Sequence, residues 1–356
     1  MRLRVDSAKV TVGGTVTNFG SGFRSIALAV DAGDYVTVRA IAGPTRLTLT
    51  GEATDDPSIK GVPADQHPTV SALRSLLDQV GAPQVGLHLK YSGRIPAEVG
   101  LGSHAAQVLA GLRIGRALLG NPEELTDDFL QSTAIDLGAD RLRLAALTDG
   151  PLVVSVPALE ELQSQRPGNA FAPGEPLDWL KSGDQGGQTS RTTSSKTTEE
   201  PAPVFRSPLS APISPVAFVP SIRIAPPGGQ RLPRVTDFTQ AACSSARAGI
   251  LLAALAGGFP ADADKEAVAR QLMVGTFDEL RRKDTADRLP ASSALTDWLR
   301  DLGVPAFISG SGPAVVSLLR VEREIVEAAA RSGWRHLDLG VGTGVVGAGQ
   351  NTDEQG

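Results

Sequence analysis

Only one cysteine, Cys243, stands in 356 residues, so no disulfide can form within the chain, and a reducing cytoplasm is the expected setting. Aromatic residues are scarce at 4%, too few for the stacking platforms that hold single-stranded nucleic acid. Basic residues do not predominate: 34 Lys and Arg face 39 Asp and Glu, a net charge of −5, which gives no electrostatic footprint for a phosphate backbone. The four histidines (His67, His88, His104 and His336) lie far apart without metal-ligand spacing. The longest apolar run, Gly249 to Phe259, is well short of the roughly 20 residues that cross a bilayer. Met1 to Gly14 has no apolar signal core. Nucleic acid and membrane are therefore not expected partners.

What is present is an ordinary globular composition, 41% apolar, long enough for two cores. Four β-prone runs, Lys9 to Val12, Ser25 to Val30, Tyr35 to Ile41 and Arg46 to Thr50, open the chain between Gly and Asp turns. Val70, Leu73, Leu76, Leu77 and Val80 have helical spacing with Gly81 as the cap, and 84–91 returns to period two. Helices are predicted from Ser103 to Leu119 and from Glu123 to Asp136, the second with Pro122 at its first position, and a strand from Leu152 to Val156 closes the first domain. The segment 161–215 reads as a linker or insertion, disordered at about 182–203 where Gly, Ser, Thr, Gln, Pro and charge prevail. After it come a strand at Val216, helices over Thr236 to Leu255 and Lys265 to Arg282, and an apolar stripe through Leu295, Trp298, Leu299 and Leu302 that makes Trp298 a core residue. A glycine-rich turn between two short strands, a helix from Glu322 and a strand from Arg335 complete the second α/β domain. The boundaries are thus 1–160, 161–215, 216–348 and a frayed tail, 349–356. Cys243, on a small-residue helix, reads as a buried apolar filler.

Three glycine-rich turns carry the functional signal. Ile95-Pro96-Ala-Glu-Val-Gly100-Leu101-Gly102-Ser103-His104-Ala105-Ala106 follows a strand and opens a helix. Free N–H groups and the helix dipole at such a terminus attract anions, and glycine lets a phosphate approach the backbone. No Gly-Lys-Ser/Thr follows, so it is not a P-loop. Asn18-Phe-Gly-Ser-Gly-Phe23 and Ser309-Gly310-Ser-Gly312-Pro313 would each, alone, be only a tight turn.

Together, in this order, the three resemble the GHMP family of small-molecule kinases, and within it the homoserine kinases of high-GC bacteria. Asn18 to Phe23 is similar to that family's Asn-Leu-Gly-Pro-Gly-Phe-Asp, 100–106 to its phosphate loop Gly-Leu-Gly-Ser-Ser-Ala-Ala, and 308–313 to Leu-Ser-Gly-Ala-Gly-Pro. The resemblance also takes in 241–248 and the closing strand. It implies a ribosomal-S5-type N-terminal domain with a ferredoxin-like C-terminal domain, a homodimer, and ATP-dependent phosphorylation of the homoserine hydroxyl on the way to threonine. Pro96 and the residues from Gly100 to Ala106 would bind ATP, Asn18, Arg24 and Arg231 the substrate, and Ser309, Gly310 and Gly312 would form a structural loop.

The chain also departs from the family pattern. The second serine of the phosphate loop, a Mg²⁺ ligand, is His104, a poor donor for a hard, oxygen-seeking cation. The segment usually reading Glu-Gly-His-Pro-Asp-Asn matches Asp136 to Gly150, which holds no Glu, His or Asn; Asp136 or Asp140 lies nearby. The aspartate expected after the Phe of the first motif, which would hold the substrate ammonium, is Arg24. No metal ligand is intact. Two further readings follow: a non-catalytic relative that binds a nucleotide or metabolite or serves as the partner of an active kinase, or a kinase whose different substrate offers Arg24 an acidic group.

Overall fold

The computed structural model describes residues 1–56, 59–156, 203–222, 236–259, 264–342 and 346–349. Two long strands, β1 (Ser7–Asn18) and β2 (Gly22–Ile41), form the antiparallel spine of a seven-stranded sheet. The two runs predicted inside β2 are one strand. Gly33 and Asp34 do not turn the chain; opposite them the ladder shifts register between Val12 and Gly14, and the Asp34 carboxylate is buried with its own donors. β3 (Arg46–Gly51) lies parallel to β4 (Gly86–Gly93), which pairs with the far half of β2. β5 (Leu152–Ser155) pairs with Ile26 to Leu28 at the other end of β2.

Two segments cross the expected boundaries. Residues 204–206, placed in the linker, form β6 against β5, and 346–349 form β11 against β1, which adds a segment beyond the second sheet to the first one. Residues 157–202, with most of the expected insertion, and the tail from 350 lie outside the described residues.

Helices α2 (Ser103–Leu118) and α4 (Arg141–Thr148) pack on the first sheet, and α1 (Pro68–Gln79) and α3 (Asp127–Asp136) pack against them, α1 on α2 and α3 on both. α3 starts later than predicted because the Thr126 side chain accepts from Phe129 N–H. A side-chain cap satisfies an orphan donor, which proline at a first position does not. α1 is capped by His67, whose Nδ1 accepts from Thr69 N–H at 3.2 Å while the ring is fully buried.

Burial lowers the His67 pKa to about 4, against an opposing pull from Asp56. The native state therefore keeps this ring neutral while the unfolded chain protonates it below about 6.5, so stability falls as pH drops from there toward 4. The expected loss between pH 7 and 4.5 is roughly 2–3 kcal/mol. His67→Asn keeps a capping oxygen without a titrating ring, so urea unfolding at the two pH values should show that variant losing less than wild type by about this amount.

The second sheet is four-stranded and antiparallel, ordered β10 (Trp334–Asp338), β7 (Val216–Pro220), β9 (Val315–Ser317), β8 (Ala306–Ile308). Around it lie α5 (Phe238–Leu255), α6 (Lys265–Gly275), α7 (Arg282–Arg288), α8 (Pro290–Asp301) and α9 (Arg323–Arg331). The helix predicted from Lys265 to Arg282 stops at Gly275, where a side chain would meet the Leu251 backbone at 2.8 Å. Trp298 is not core, since the buried stripe of α8 is Ser292, Leu295 and Leu299 and the indole flanks it, 37% exposed. Cys243 is likewise exposed, because α5 buries only Ser244, Leu251, Ala254 and Leu255. Among the described residues no helix is long and apolar enough to cross a membrane.

Candidate functional site

The three glycine-rich turns, far apart in sequence, meet at one point. Asn18 ends β1 with φ 77°, and the chain stays left-handed through Phe19 and Gly20. This turn aims the Asn18 amide at the third loop: Nδ2 donates to Gly310 O at 2.7 Å, and Oδ1 accepts from Arg24 N–H at 3.0 Å. Phe19 stacks on Phe307 with ring centroids 5.0 Å apart, fixing the same contact through apolar area. From the third loop, Ser309 Oγ donates to Gly100 O at 2.9 Å, Gly310 N–H to Thr17 O at 3.2 Å and Ala314 N–H to Val99 O at 3.0 Å.

Gly102 is the N-cap of α2 in the left-handed conformation and offers no side-chain cap. The N–H groups of Ser103, His104 and Ala105 therefore stand at the positive end of a 16-residue helix without a side-chain acceptor. Ala106 N–H is already spent on Gly102 O. Leu101, Ala105 and Ala106 are buried and anchor the loop, while His104 is exposed on it.

Arg143 of α4 is the residue that sequence reasoning missed. Its Nη1 donates to Thr15 O (2.8 Å) and Thr15 Oγ1 (2.7 Å), and its Nη2 to Thr17 Oγ1 (2.9 Å) and Gly100 O (3.1 Å). Burial, and secondarily the charge of Arg24, push its pKa below the usual arginine range, with Asp140 pulling the other way. The one available signal was an arginine inside the apolar run from Leu142 to Leu147.

A cavity of about 380 Å³ opens beside the 96–106 loop, lined by Gly51, Glu52, Asp55, Asp56, Pro96, Ala97 and Val99 on one side and Pro220, Ser221 and Arg335 on the other. Arg335 grips Glu52 through both guanidinium nitrogens at 2.7 and 3.0 Å, tying the second sheet to this wall. Gln107 of α2 donates to Asp56 at 3.2 Å. Beneath it Asp34 accepts from Arg94 N–H (2.7 Å), Ile95 N–H (3.0 Å) and the Tyr91 hydroxyl, which fixes the chain just before Pro96. Desolvation raises the Asp34 pKa despite these bonds. The Tyr91 pKa goes up with it, through burial first and the neighbouring carboxylate second.

Arg24 lies partly buried behind the first turn, and Arg288, paired with Asp284 at 3.3 Å, shares a small cavity with Gly310 and Ser311. Arg231 lies outside the described residues. The residues present do not fit a Mg²⁺ ion. His104 brings an imidazole where a hydroxyl is needed, and the Asp140 carboxylate caps α4 through Arg143 N–H at 2.9 Å. Asp136 is exposed at the last turn of α3, and a divalent cation at the loop would meet the like charge of Arg143.

Residues 68–144 match the GHMP kinases N terminal domain. The chain is 29% identical to a homoserine kinase of Streptomyces coelicolor, over 95% of this chain and 93% of that one. To a homoserine kinase of Cutibacterium acnes it is 31% identical, over 96% and 98%. The fold is similar to that of the homoserine kinase of Cytophaga hutchinsonii, with a TM-score of 0.67 at 20% identity, covering 96% of this chain and 98% of that one. With a whole-length relative at this identity and the three loops converging as described, the chain belongs to the GHMP kinase family, on its homoserine kinase branch.

Proposed function

We propose that the chain binds ATP and transfers its γ-phosphoryl group to the hydroxyl of a small amino acid, with homoserine, the substrate in its relatives' names, as the first candidate. The observation that carries this reading is the convergence of three loops on the uncapped start of α2, next to a cavity that ends at Val99. In this arrangement the nucleoside occupies the cavity over Pro96, where Asp55 and Asp56 can accept from ribose hydroxyls and the base amine. The phosphates then reach Gly100 to Ala106 and the free N–H groups of α2. The amino acid lies by Asn18 and Arg24 with its carboxylate toward Arg24, whose charge suits that end of a zwitterion, and Arg231 joins this set. Phosphoryl transfer relies on positioning and charge neutralisation, and a loop pinned by neighbours on three elements supplies the first.

A second reading, a relative that binds nucleotide without transfer, is favoured by one observation: His104 and Arg24 stand where the family carries a metal-binding serine and an ammonium-binding aspartate. Isothermal titration with ATP, then with homoserine in the same cell, tests the proposal. It predicts heat from both. ATP heat alone supports the second reading, or a different, acidic substrate at Arg24; no heat from either removes the nucleotide site.

A further inference from the structure

The Arg143 guanidinium occupies a space that two glycines leave open. A Cβ on Gly310 would lie 2.4 Å from Nη2, and one on Gly102 would lie 3.0 Å from Nη1. It is wedged between the phosphate loop and the 309–312 loop, and its four hydrogen bonds end on Thr15, Thr17 and Gly100. All four acceptors are neutral. Among the described residues no carboxylate lies within ion-pair distance of this guanidinium, and its nearest carboxylate influence, Asp140, is occupied at the start of α4. Arg24 adds a second positive charge close enough to oppose the first.

A charge held in a partly buried place with its four Nη N–H groups satisfied but its charge unbalanced favours an anion nearby. Its position behind Gly100 and Gly102 fixes where that anion can sit, on the outer face of the loop, where the α2 N–H groups point. We propose that Arg143 is the positioning and electrostatic residue of the phosphate loop: a resident cation that holds Gly100 in place and lets the loop take polyphosphate without a divalent ion. This rests on the nucleotide reading above and adds what neutralises the phosphates. Guanidinium suits the task because it stays charged on burial and its fork bridges two elements at once. Lysine would keep the charge and lose the bridge.

The test is calorimetric titration of the full chain with ATP and, separately, with adenosine, in EDTA and in Mg²⁺. It is repeated for Arg143→Lys and Arg143→Met, with a thermal melt of each protein. Wild type is expected to bind ATP with affinities within about threefold in the two buffers. Arg143→Met should weaken ATP at least about tenfold while leaving adenosine within about twofold, and Arg143→Lys should fall between. A purely structural role would weaken both ligands together, and that result overturns the proposal. ATP binding in wild type that drops about tenfold or more in EDTA overturns it as well, and this comparison needs no variant, so it stands even if Arg143→Met does not fold. Absence of ATP binding in both buffers defeats the nucleotide reading itself, which the Mg²⁺-dependent result would leave intact.

Discussion

Gly100→Ala is expected to weaken ATP binding at least about tenfold and to cost about 2–4 kcal/mol of stability, from left-handed strain plus overpacking. Gly100 has φ +90°, and a Cβ there would stand 2.1 Å from Ser309 O and 3.1 Å from Gly312 N. Both are backbone atoms of a loop pinned to Thr17 and Val99, so neither can swing aside as a side-chain tip would. The loops must separate, and the Gly100 carbonyl then loses Ser309 Oγ and Arg143 Nη2 together. Gly43→Ala is the matched control, because φ there is +102° and nothing lies within 4 Å of the added carbon. It should show only the conformational penalty, about 1 kcal/mol, with ATP affinity unchanged. Urea denaturation and ATP titration of the two variants separate strain from contact. Equal ATP affinity in Gly100→Ala and wild type would mean that phosphate does not bind at this loop.

The second large effect belongs to Asp34. Asp34 is 2% exposed, as is Tyr91, so removing the carboxylate leaves two backbone N–H groups and the Tyr91 O–H without an acceptor where water cannot reach. At about 1–3 kcal/mol for each orphaned group, Asp34→Ala should lose roughly 3–9 kcal/mol. Asp34→Asn keeps one acceptor and should lose much less. The pH dependence has a definite sign. A carboxyl whose folded pKa is raised binds its proton more tightly in the native state, so its contribution is complete below the unfolded value near 3.8 and is lost as pH rises through the higher folded value. Wild type should therefore gain on Asp34→Asn as pH is lowered, opposite in sign to the His67 effect. Since Arg94 and Ile95 lead directly to Pro96, ATP affinity should fall with stability in Asp34→Ala. A loss under about 1 kcal/mol in denaturant titration would show that the network is not buried as described.

The parts of this fold that were legible were those set by local pattern. Period-two and period-3.6 runs marked β4, α1 and α2, and glycine-rich turns marked all three loops. Asp34 misled because aspartate after glycine has the chemistry of a turn, whereas three donors from 91–95 make it a strand residue. The glycine-rich end of the chain gave no sign of β11, because its strand character comes from pairing with β1. Arg143 could not be found from spacing, since its acceptors lie 128, 126 and 43 residues away. The family motifs showed what was missing from 136–150. They could not show that a guanidinium two turns from β5 had entered the loop.

The measurement that tests the central claim most directly is ³¹P nuclear magnetic resonance of the full chain incubated with ATP and homoserine, at enzyme levels high enough to see a single turnover. The account predicts a new phosphomonoester signal with ADP formed in equal amount, present when Mg²⁺ is chelated. Unchanged ATP after prolonged incubation, in both EDTA and Mg²⁺, would contradict the transfer reaction and leave a nucleotide-binding relative of the homoserine kinases.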